Sequence, residues 1–252
     1  MRDPYLYPHT DILKNRANIR DREILEKLEG DLTASRLADL ASNISVSRFD
    51  FAELCMVHNY IFQDIYDWAG KPRIKNIDKS ERALGGLSVK YSDYFDIARD
   101  AEQVLADMNH YAWDKASFDE TVRNYSRYMA DLWKVHPFRE GNTRTVVTFC
   151  NLFMYSRGHT VNMDLYKDNA EYVRTALVAA SAYFHDLGDR RQPEYLERIV
   201  ADSLKDGWKD KERSSVLGKL KINQARLSKE RGENIQKNVD TQKQHKNIDV
   251  EK

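Results

Sequence analysis

The chain has 252 residues, and its 40 lysines and arginines balance its 40 aspartates and glutamates. Its 41% hydrophobic and 11% aromatic residues can fill a core, which excludes wholesale disorder. No apolar run approaches the roughly 18 residues that span a bilayer, and the first residues lack the apolar segment of a signal peptide. We therefore expect a cytoplasmic protein with no membrane partner.

The charges are unevenly distributed along the chain. From Lys209 onward there are 12 basic and 7 acidic residues, against 28 and 33 before it. Because basic residues are not clustered in the body, we expect no nucleic-acid partner. The sequence predicts three parts: an N-terminal strap and helix over 1–47, a core domain over 48–207, and a charged, partly disordered tail over 208–252.

Helical periodicity dominates the chain, which contains only five prolines and ten glycines. An irregular opening with Tyr5 and Tyr7 is expected to lie across a surface. After it, apolar residues at spacings of three and four predict an all-α protein. The expected helices are Arg22–Ser42, Phe51–Trp68, Tyr94–Met108, Ser117–Val135, Thr143–Arg157, Leu165–Phe184 and Pro193–Leu204. Cys55 and Cys150 fall inside such segments and are expected to be buried free thiols.

One segment, Arg73–Tyr91, predicts β structure. Partly alternating residues occur on both sides of the Gly85-Gly86 pair, which is typical of a turn. Two strands cannot form a core alone, so this segment is expected to be a short exposed hairpin. Its candidate strand residues are Ile74, Lys75, Asn76 and Ile77 on one side and Leu87, Ser88 and Val89 on the other.

The apolar stripe of the Ser117–Val135 helix leads directly to the sequence His136-Pro137-Phe138-Arg139-Glu140-Gly141-Asn142-Thr143-Arg144. Continuing the stripe places His136 at the rim of the core, and Pro137 disfavours helical geometry there. A new helix begins near Thr143, so its unpaired N–H groups and positive dipole end face this loop. Such a helix-loop-helix element predicts an anion site.

The residue types in this loop suit a phosphate-transfer site. Gly141 lets the backbone approach an anion closely, and Asn142, Thr143 and Arg144 follow it at the start of the helix. Arg144 is expected to bind a phosphate oxygen, and Arg139 is a weaker candidate for steering the nucleotide.

Glu140 and His136 supply the remaining chemistry. A carboxylate beside a phosphate site suggests a bridging Mg²⁺, so Glu140 is the predicted metal ligand. His136 titrates near neutrality and is the predicted base for a hydroxyl proton. Phe138 has no polar role and is expected to anchor the loop. The chemistry that fits is phosphoryl or nucleotidyl transfer.

These residues resemble the signature of Fic (filamentation induced by cAMP) proteins, which reads His-Pro-Phe-x-Asp/Glu-Gly-Asn-Gly-Arg-x-x-Arg. Here the stretch reads HPFREGNTRTVV. The opening Tyr-Leu-Tyr-Pro with Leu13-Lys14-Asn15, and the helix end Phe62-Gln63-Asp64-Ile65-Tyr66-Asp67-Trp68-Ala69-Gly70, are also similar to Fic proteins. The resemblance covers about residues 5–207.

The resemblance implies a Fic-fold helical bundle with a short β-hairpin flap. It implies Mg²⁺-dependent transfer of AMP from ATP to a Ser, Thr or Tyr hydroxyl of a target protein. His136 would be the base and Glu140 the metal ligand. Gly141 to Arg144 would hold phosphates, and the residues of 74–77 and 87–89 would bind the target as a flap by strand pairing.

Two positions depart from the signature. Thr143 replaces the second glycine and would crowd the loop if that position needs positive φ, and Val147 replaces the second arginine, which grips the ATP γ-phosphate in typical members. Doc toxins, which also lack that arginine, act as kinases with ATP reversed, so a Doc-like kinase is one alternative. A degenerate nucleotide-binding module without catalysis is another, and an ordinary helix-loop-helix corner with no functional site is a third.

Regulation is a further question. Many Fic proteins carry an inhibitory Ser/Thr-x-x-x-Glu segment whose glutamate pairs with the second arginine. No Ser or Thr of this chain has a Glu four residues on, and Ser35 has Asp39 at that spacing instead. Either the protein is unregulated in cis or a separate antitoxin-like protein controls it. Secretion as an effector and a docking role of the basic tail stay open.

Overall fold

The structure is a computed structural model that describes residues 3–43 and 45–210, apart from the side chains of residues 41 and 42. The chain forms two compact units, Met1–Lys205 and Asp206–Lys252. Of the second unit, residues 206–210 are described and are helical. The predicted disorder of the tail lies outside the described residues, and the predicted domain boundaries stay predictions.

Seven α-helices and one additional helical stretch build the described part of the first unit. They are α1 (Arg22–Asn43), α2 (Phe51–Phe62), α3 (Ile97–His110), α4 (Phe118–Val135), α5 (Asn142–Ser156), α6 (Met163–Asp168), α7 (Ala170–Ala180) and residues 194–205. A two-stranded antiparallel hairpin, β1 (Tyr183–Phe184) with β2 (Gly188–Asp189), follows α7. The predicted class, a helical bundle with a short hairpin, is confirmed.

Two predicted helices were too long. The second ends at Phe62 instead of Trp68, and the residues after it form turns in which the amides of Ile65 and Ala69 bond to carbonyls three residues back. The predicted Leu165–Phe184 helix is divided into α6 and α7 at Asn169, whose backbone is not helical. Its last two residues form β1, which sequence periodicity did not indicate.

The predicted hairpin at Arg73–Tyr91 was wrong in its secondary structure. Within these residues, which we call the flap, the structure has no β-strand and one 3-10 turn at Arg82–Leu84. The two arms do approach each other, since the Glu81 amide donates to the Leu87 carbonyl. Other backbone donors are committed elsewhere: Arg73 to the Pro137 carbonyl and Lys79 to the Ser88 hydroxyl. A regular ladder therefore cannot form.

The turn within the flap was predicted correctly. Gly85 and Gly86 both have positive φ, at 63° and 94°. Glycine adopts this geometry at little cost, so the pair reverses the chain between the two arms.

The N-terminal strap lies across the surface, as the sequence predicted, and is held there by its tyrosines. Tyr5 and Tyr7 are buried, and the Tyr5 ring meets the Trp68 ring edge to face at a centroid distance of 5.5 Å. The Tyr5 hydroxyl accepts a hydrogen bond from the Ile74 amide at 3.1 Å. The strap therefore contacts the first residues of the flap.

Helices α4 and α5 position the loop between them. Ser117 and Glu120 form a capping box that starts α4. The buried side of α4 carries Tyr125, Met129, Leu132 and Trp133, and α5 contributes Phe149 and Phe153 to the same core. Because both helices are anchored in this core, the loop 136–141 joins two fixed ends. Cys150 is a buried free thiol, whereas the free thiol of Cys55 is only half-buried.

Candidate functional site: the loop between α4 and α5

His136 ends α4 in a left-handed conformation, with φ 52° and ψ 59°. Only 2% of the residue is exposed. Its Nδ1 lies 3.3 Å from the Trp133 carbonyl oxygen, so Nδ1 carries the proton and donates it. Nε2 is then the unprotonated nitrogen, and it is buried without a hydrogen-bond partner. A buried, unpaired lone pair is rare in folded proteins and marks a candidate base.

The surroundings keep the His136 imidazole neutral. Burial is the main cause that lowers its pKa well below the ordinary value, and the positive charges of Lys79, Arg73 and Arg174 lower it further. A neutral imidazole is the form that can accept a proton, which is compatible with the predicted role of base.

The flap covers this base. The Tyr91 ring stacks on the imidazole with a centroid distance of 3.9 Å. The middle of the flap is held by Arg174 of α7, which donates two hydrogen bonds of 2.9 Å to the buried carboxylate of Glu81. The flap is therefore closed over His136 in this structure.

Glu140 presents its carboxylate at the same site. The Lys79 ammonium lies 3.2 Å from Glu140 Oε2, and the Gly141 amide donates to Oε1 at 3.1 Å. Burial alone would raise the pKa of Glu140, but Lys79, the Gly141 amide and Arg144 outweigh it, so the pKa is lowered. The carboxylate is ionised and already beside a cation, which suits the predicted metal ligand. No group of three His, Cys, Asp or Glu residues with metal-site geometry occurs within residues 3–43 and 45–210.

Gly141 is the position where the loop needs a glycine. Its φ is 81°, and a Cβ there would lie 2.3 Å from the Phe62 ring. Both the backbone and the packing therefore exclude a side chain at this position.

The side chain of Asn142 binds the backbone of Phe138. Its side-chain oxygen accepts from the Phe138 amide at 2.9 Å, and its side-chain nitrogen donates to the Phe138 carbonyl at 2.8 Å. The side chain therefore fixes the loop, and only the backbone N–H at the start of α5 remains for an anion. Phe138 is fully buried, as expected for an anchor.

Thr143 does not crowd the loop, because it lies in the first turn of α5 and has no positive φ. Its hydroxyl accepts a hydrogen bond from the Trp133 indole at 2.9 Å. Threonine would strain this position only if φ were positive, and it is not.

Arg144 points toward α1. Its guanidinium donates to the Thr33 hydroxyl at 3.0 Å and pairs with the Glu29 carboxylate. Val147, one turn further along α5, lines a cavity of about 460 Å³ together with Thr33, Thr143 and Arg144. This cavity adjoins the start of α5 and is lined largely by apolar groups. A second cavity, of about 500 Å³, lies between α4 and residues 189–197 and is lined by none of the loop residues.

Arg139 contacts the N-terminal strap, and its predicted role in nucleotide binding stays a prediction. Its guanidinium lies 3.3 Å from the Asp3 carboxylate of the N-terminal strap. Asp3 also lies 3.5 Å from the Lys75 ammonium, so the strap, the loop and the flap share one ion-pair cluster.

The predicted flap residues divide by exposure. Ile74 and Leu87 expose 63% and 46% of their surface, while Val89 is buried. Asn76 is exposed, and its side chain holds Asp93 and Tyr94. The remaining three, Lys75, Ile77 and Ser88, are half-buried.

Sequence reasoning missed several residues that shape the site. His58 is one of them: its Nδ1 accepts from the Gly70 amide at 2.8 Å, and its Nε2 lies 3.1 Å from the Glu140 carbonyl oxygen. Glu29 and Thr33 lie four residues apart on α1. The glutamate comes first, which is the reverse of the order in the inhibitory Ser/Thr-x-x-x-Glu segment. Their i, i+4 spacing was the available signal. No sequence signal indicated the roles of four further residues, Lys79, Glu81, Tyr91 and Arg174.

Together the fold and the site define a class: a helical domain that carries an unpaired imidazole, a carboxylate and a helix N-terminus on one loop. The Fic/DOC family model matches residues 48–154, which include this loop. The chain is 32% identical over 163 residues to a probable protein adenylyltransferase, y4lH, of Sinorhizobium fredii, covering 64% of this chain and 79% of that protein. The chain belongs to the Fic/DOC family.

Other relatives agree. The probable protein adenylyltransferase Fic of Escherichia coli K12 is 30% identical over 145 residues, covering 56% of this chain and 66% of that protein. Among solved structures, the BepC effector of Bartonella tribocorum with bound AMPPNP matches at a TM-score of 0.65 and 21% identity, covering 79% of this chain and 95% of that one. That match supports the fold. No helix in the part of the chain that the structure describes has the length and apolarity to cross a membrane.

Proposed function

We propose that this chain is a protein adenylyltransferase, which transfers AMP from ATP to a Ser, Thr or Tyr hydroxyl of a target protein with Mg²⁺. The observation that carries the proposal is the His136 imidazole, whose Nε2 is buried and unpaired while Nδ1 donates to the Trp133 carbonyl. Relatives at about 30% identity named as protein adenylyltransferases support the choice of reaction.

In the proposed reaction the target hydroxyl oxygen attacks the α-phosphorus of ATP. His136 Nε2 takes the hydroxyl proton, the bond from the α-phosphorus to the bridging oxygen breaks, and pyrophosphate leaves. The N–H groups at the start of α5 and the Arg144 guanidinium would bind phosphate oxygens. Bound Mg²⁺ would neutralise phosphate charge as the leaving group departs.

Glu140 is the proposed ligand of this Mg²⁺. One carboxylate suffices where nucleotide phosphates and water complete the coordination. The Lys79 ammonium, 3.2 Å from the carboxylate, would then move from Glu140 and become available to phosphate.

The flap has to open for the target to reach His136, because Tyr91 covers the imidazole. The exposed apolar residues Ile74 and Leu87 are the proposed contacts for the target segment. Strand pairing with the flap would supply backbone hydrogen bonds and leave the target hydroxyl free. A separate inhibitory protein and secretion as an effector belong to the same proposal and need their own tests.

A Doc-like kinase is the second candidate. Val147 supports it, because this apolar residue lines the cavity where the family signature has its second arginine. In that reaction the γ-phosphate, not AMP, would pass to the hydroxyl.

Radioactive ATP distinguishes the reactions. The chain is incubated with Mg²⁺, cell lysate and ATP labelled at the α- or the γ-phosphorus. Adenylyl transfer labels target protein from α-labelled ATP only, and a kinase labels from γ-labelled ATP only. His136→Ala should abolish either signal, whereas His185→Ala, at a side chain that is 95% exposed, should keep it. Equal labelling by wild type and His136→Ala would contradict both enzymes.

A binding module without catalysis would give no label from either ATP. Calorimetry with ATP and Mg²⁺ then separates a protein that binds nucleotide from one that does not. Binding without transfer would identify the degenerate module, and neither binding nor transfer would leave an ordinary helix-loop-helix corner.

A further inference from the structure

Arg73 is the largest charged side chain that the described part of the chain buries fully, with 2% exposed. No carboxylate lies within ion-pair distance of it among the described residues. Its donors instead reach the carbonyls of His136 at 2.9 Å, Lys75 at 2.8 Å and Ser92, and the side-chain oxygen of Asn76 at 3.3 Å. Desolvation lowers its pKa, partly offset by the negative charge of Asp93.

A buried guanidinium without an ion-pair partner is costly, and an apolar residue would fill the space more cheaply. The planar fork of arginine, however, can bind several carbonyls in fixed directions at once. The contacts of Arg73 therefore indicate that its directional hydrogen bonds, rather than its volume, matter at this position.

The carbonyls that Arg73 binds belong to two functional segments. Its Nε binds His136, and its backbone amide binds the next carbonyl, that of Pro137, at 2.8 Å. Its terminal nitrogens bind Lys75 and Ser92, which lie at the two ends of the flap. Ser92 directly follows Tyr91, whose ring stacks on the His136 imidazole.

His136 needs such support because its backbone is in the left-handed region, which costs energy for a residue with a Cβ. The conformation persists only when its surroundings fix it. Two consecutive carbonyls held by one residue fix the plane of the peptide bond between His136 and Pro137, and with it the direction of the imidazole.

We propose that Arg73 is a positioning residue of the transfer reaction: it fixes the His136 backbone so that Nε2 is aimed at the reacting hydroxyl, and it joins the flap ends to that base. This inference rests on the proposed function, since it assumes that His136 is the base. Among the described residues, Arg73 forms no hydrogen bond or ion pair with Glu140, Gly141 or Arg144, so it should affect turnover and leave nucleotide binding unchanged.

The test compares Arg73→Met and Arg73→Lys with wild type, and Arg36→Met serves as control because Arg36 forms an ion pair with Asp64 away from the loop. For Arg73→Met we expect kcat to fall about 100-fold, with the Kd for ATP within about threefold of wild type. Arg73→Lys should recover part of the loss. Arg36→Met should behave as wild type.

A second readout does not depend on activity. Nuclear magnetic resonance of ¹⁵N-labelled histidine should show His136 with a single Nδ1–H tautomer in wild type. In Arg73→Met it should show mixed tautomers or exchange broadening. If Arg73→Met does not fold, Arg73→Lys is measured in the same way and decides.

The outcomes separate the two proposals. A wild type that transfers no label contradicts the proposed function, whatever Arg73 does to the His136 signals. An active wild type with unchanged kcat and unchanged His136 signals in the Arg73 variants overturns the role of Arg73. A fall in kcat that is matched by an equal loss of ATP binding would also overturn it, because the residue would then act on the nucleotide.

Discussion

The Tyr91 ring lies flat on the His136 imidazole, with a centroid distance of 3.9 Å and an angle of 22° between the planes. One face of the imidazole is thus covered by a residue of the flap, while Trp133 of α4 meets the ring edge to face at a centroid distance of 5.1 Å. Removing the Tyr91 ring should therefore open one face of His136 to solvent.

Replacing Tyr91 with alanine should expose His136. Because burial is the main cause of its lowered pKa, the pKa should rise toward about 6.5, the value of an exposed histidine. Carbethoxylation of His136 by diethyl pyrocarbonate should be at least about tenfold faster, since only the unprotonated nitrogen reacts and it would now meet solvent. Tyr94→Ala is the matched control, because Tyr94 stacks on Phe95 instead. Equal reactivity of His136 in both variants and wild type would contradict this account.

Glu29 pairs with Arg144, the proposed phosphate ligand, so Glu29→Gln should free the guanidinium and strengthen ATP binding. We expect the Kd to fall about fivefold to tenfold, or about 1 kcal/mol, measured by calorimetry. Glutamine keeps an oxygen for the Tyr66 hydroxyl, which also binds Glu29.

Glu26→Gln is the control for this change. Glu26 is exposed on α1 one turn earlier and has the same charge. If both substitutions change the Kd equally, the effect is one of net charge and the Glu29–Arg144 contact has no specific role.

The helices were predictable from sequence because their apolar periodicity reflects a shared core: α1, α4 and α5 begin and end within a residue or two of the expected positions. The loop was predictable because its residue types have narrow chemical uses. Contacts between residues far apart in sequence were not predictable. Tertiary packing brings together residues that are far apart in sequence, such as Arg73 and His136 or Glu81 and Arg174. No spacing along the chain indicates these pairs.

In the flap, the local sequence pattern predicted a structure that tertiary contacts prevent. Its alternating residues and its glycine pair predicted strands, but the Arg73 amide goes to Pro137 and the Ile74 amide to Tyr5. Tertiary hydrogen bonds replaced the ladder that local pattern favoured. The hairpin β1–β2 was not predicted, because strands of two residues are too short to show an alternation of apolar and polar residues.

Protonation of His58 should destabilise the fold. Its Nδ1 accepts from the Gly70 amide, so a proton there would break that hydrogen bond. Burial is the main cause that lowers its pKa from 6.5 to about 4. Since the unfolded chain binds the proton more tightly, stability is retained above about pH 6.5 and is lost as the pH falls from there toward about 4.

The expected loss from His58 is about 2 kcal/mol between about pH 8 and about pH 5, measured as the free energy of unfolding in urea. His136 acts in the same direction, so the contribution of His58 is read as the difference between wild type and His58→Gln. The variant should be less stable at pH 8 and lose less on acidification. A variant with the wild-type pH dependence would show that His58 does not titrate as argued.

Gly141→Ala should destabilise the protein by about 3 kcal/mol or more, because positive φ and the contact with Phe62 both oppose a Cβ. Urea unfolding measures the change. Gly158→Ala separates the two causes: Gly158 also has positive φ, at 75°, but a Cβ added there would have no neighbouring atom within 4 Å. It should cost only about 1–2 kcal/mol. Equal losses at the two sites would remove the Phe62 contact from the explanation.

The closed flap bears on how the protein treats water. An imidazole that could deprotonate a target hydroxyl could also deprotonate a water molecule, and ATP would then be hydrolysed in the absence of a target. With Tyr91 over the ring and Nε2 out of contact with solvent, that reaction is suppressed for as long as the flap stays down. The ratio of ATP hydrolysed to AMP transferred would thus report how often the flap opens when no target is bound.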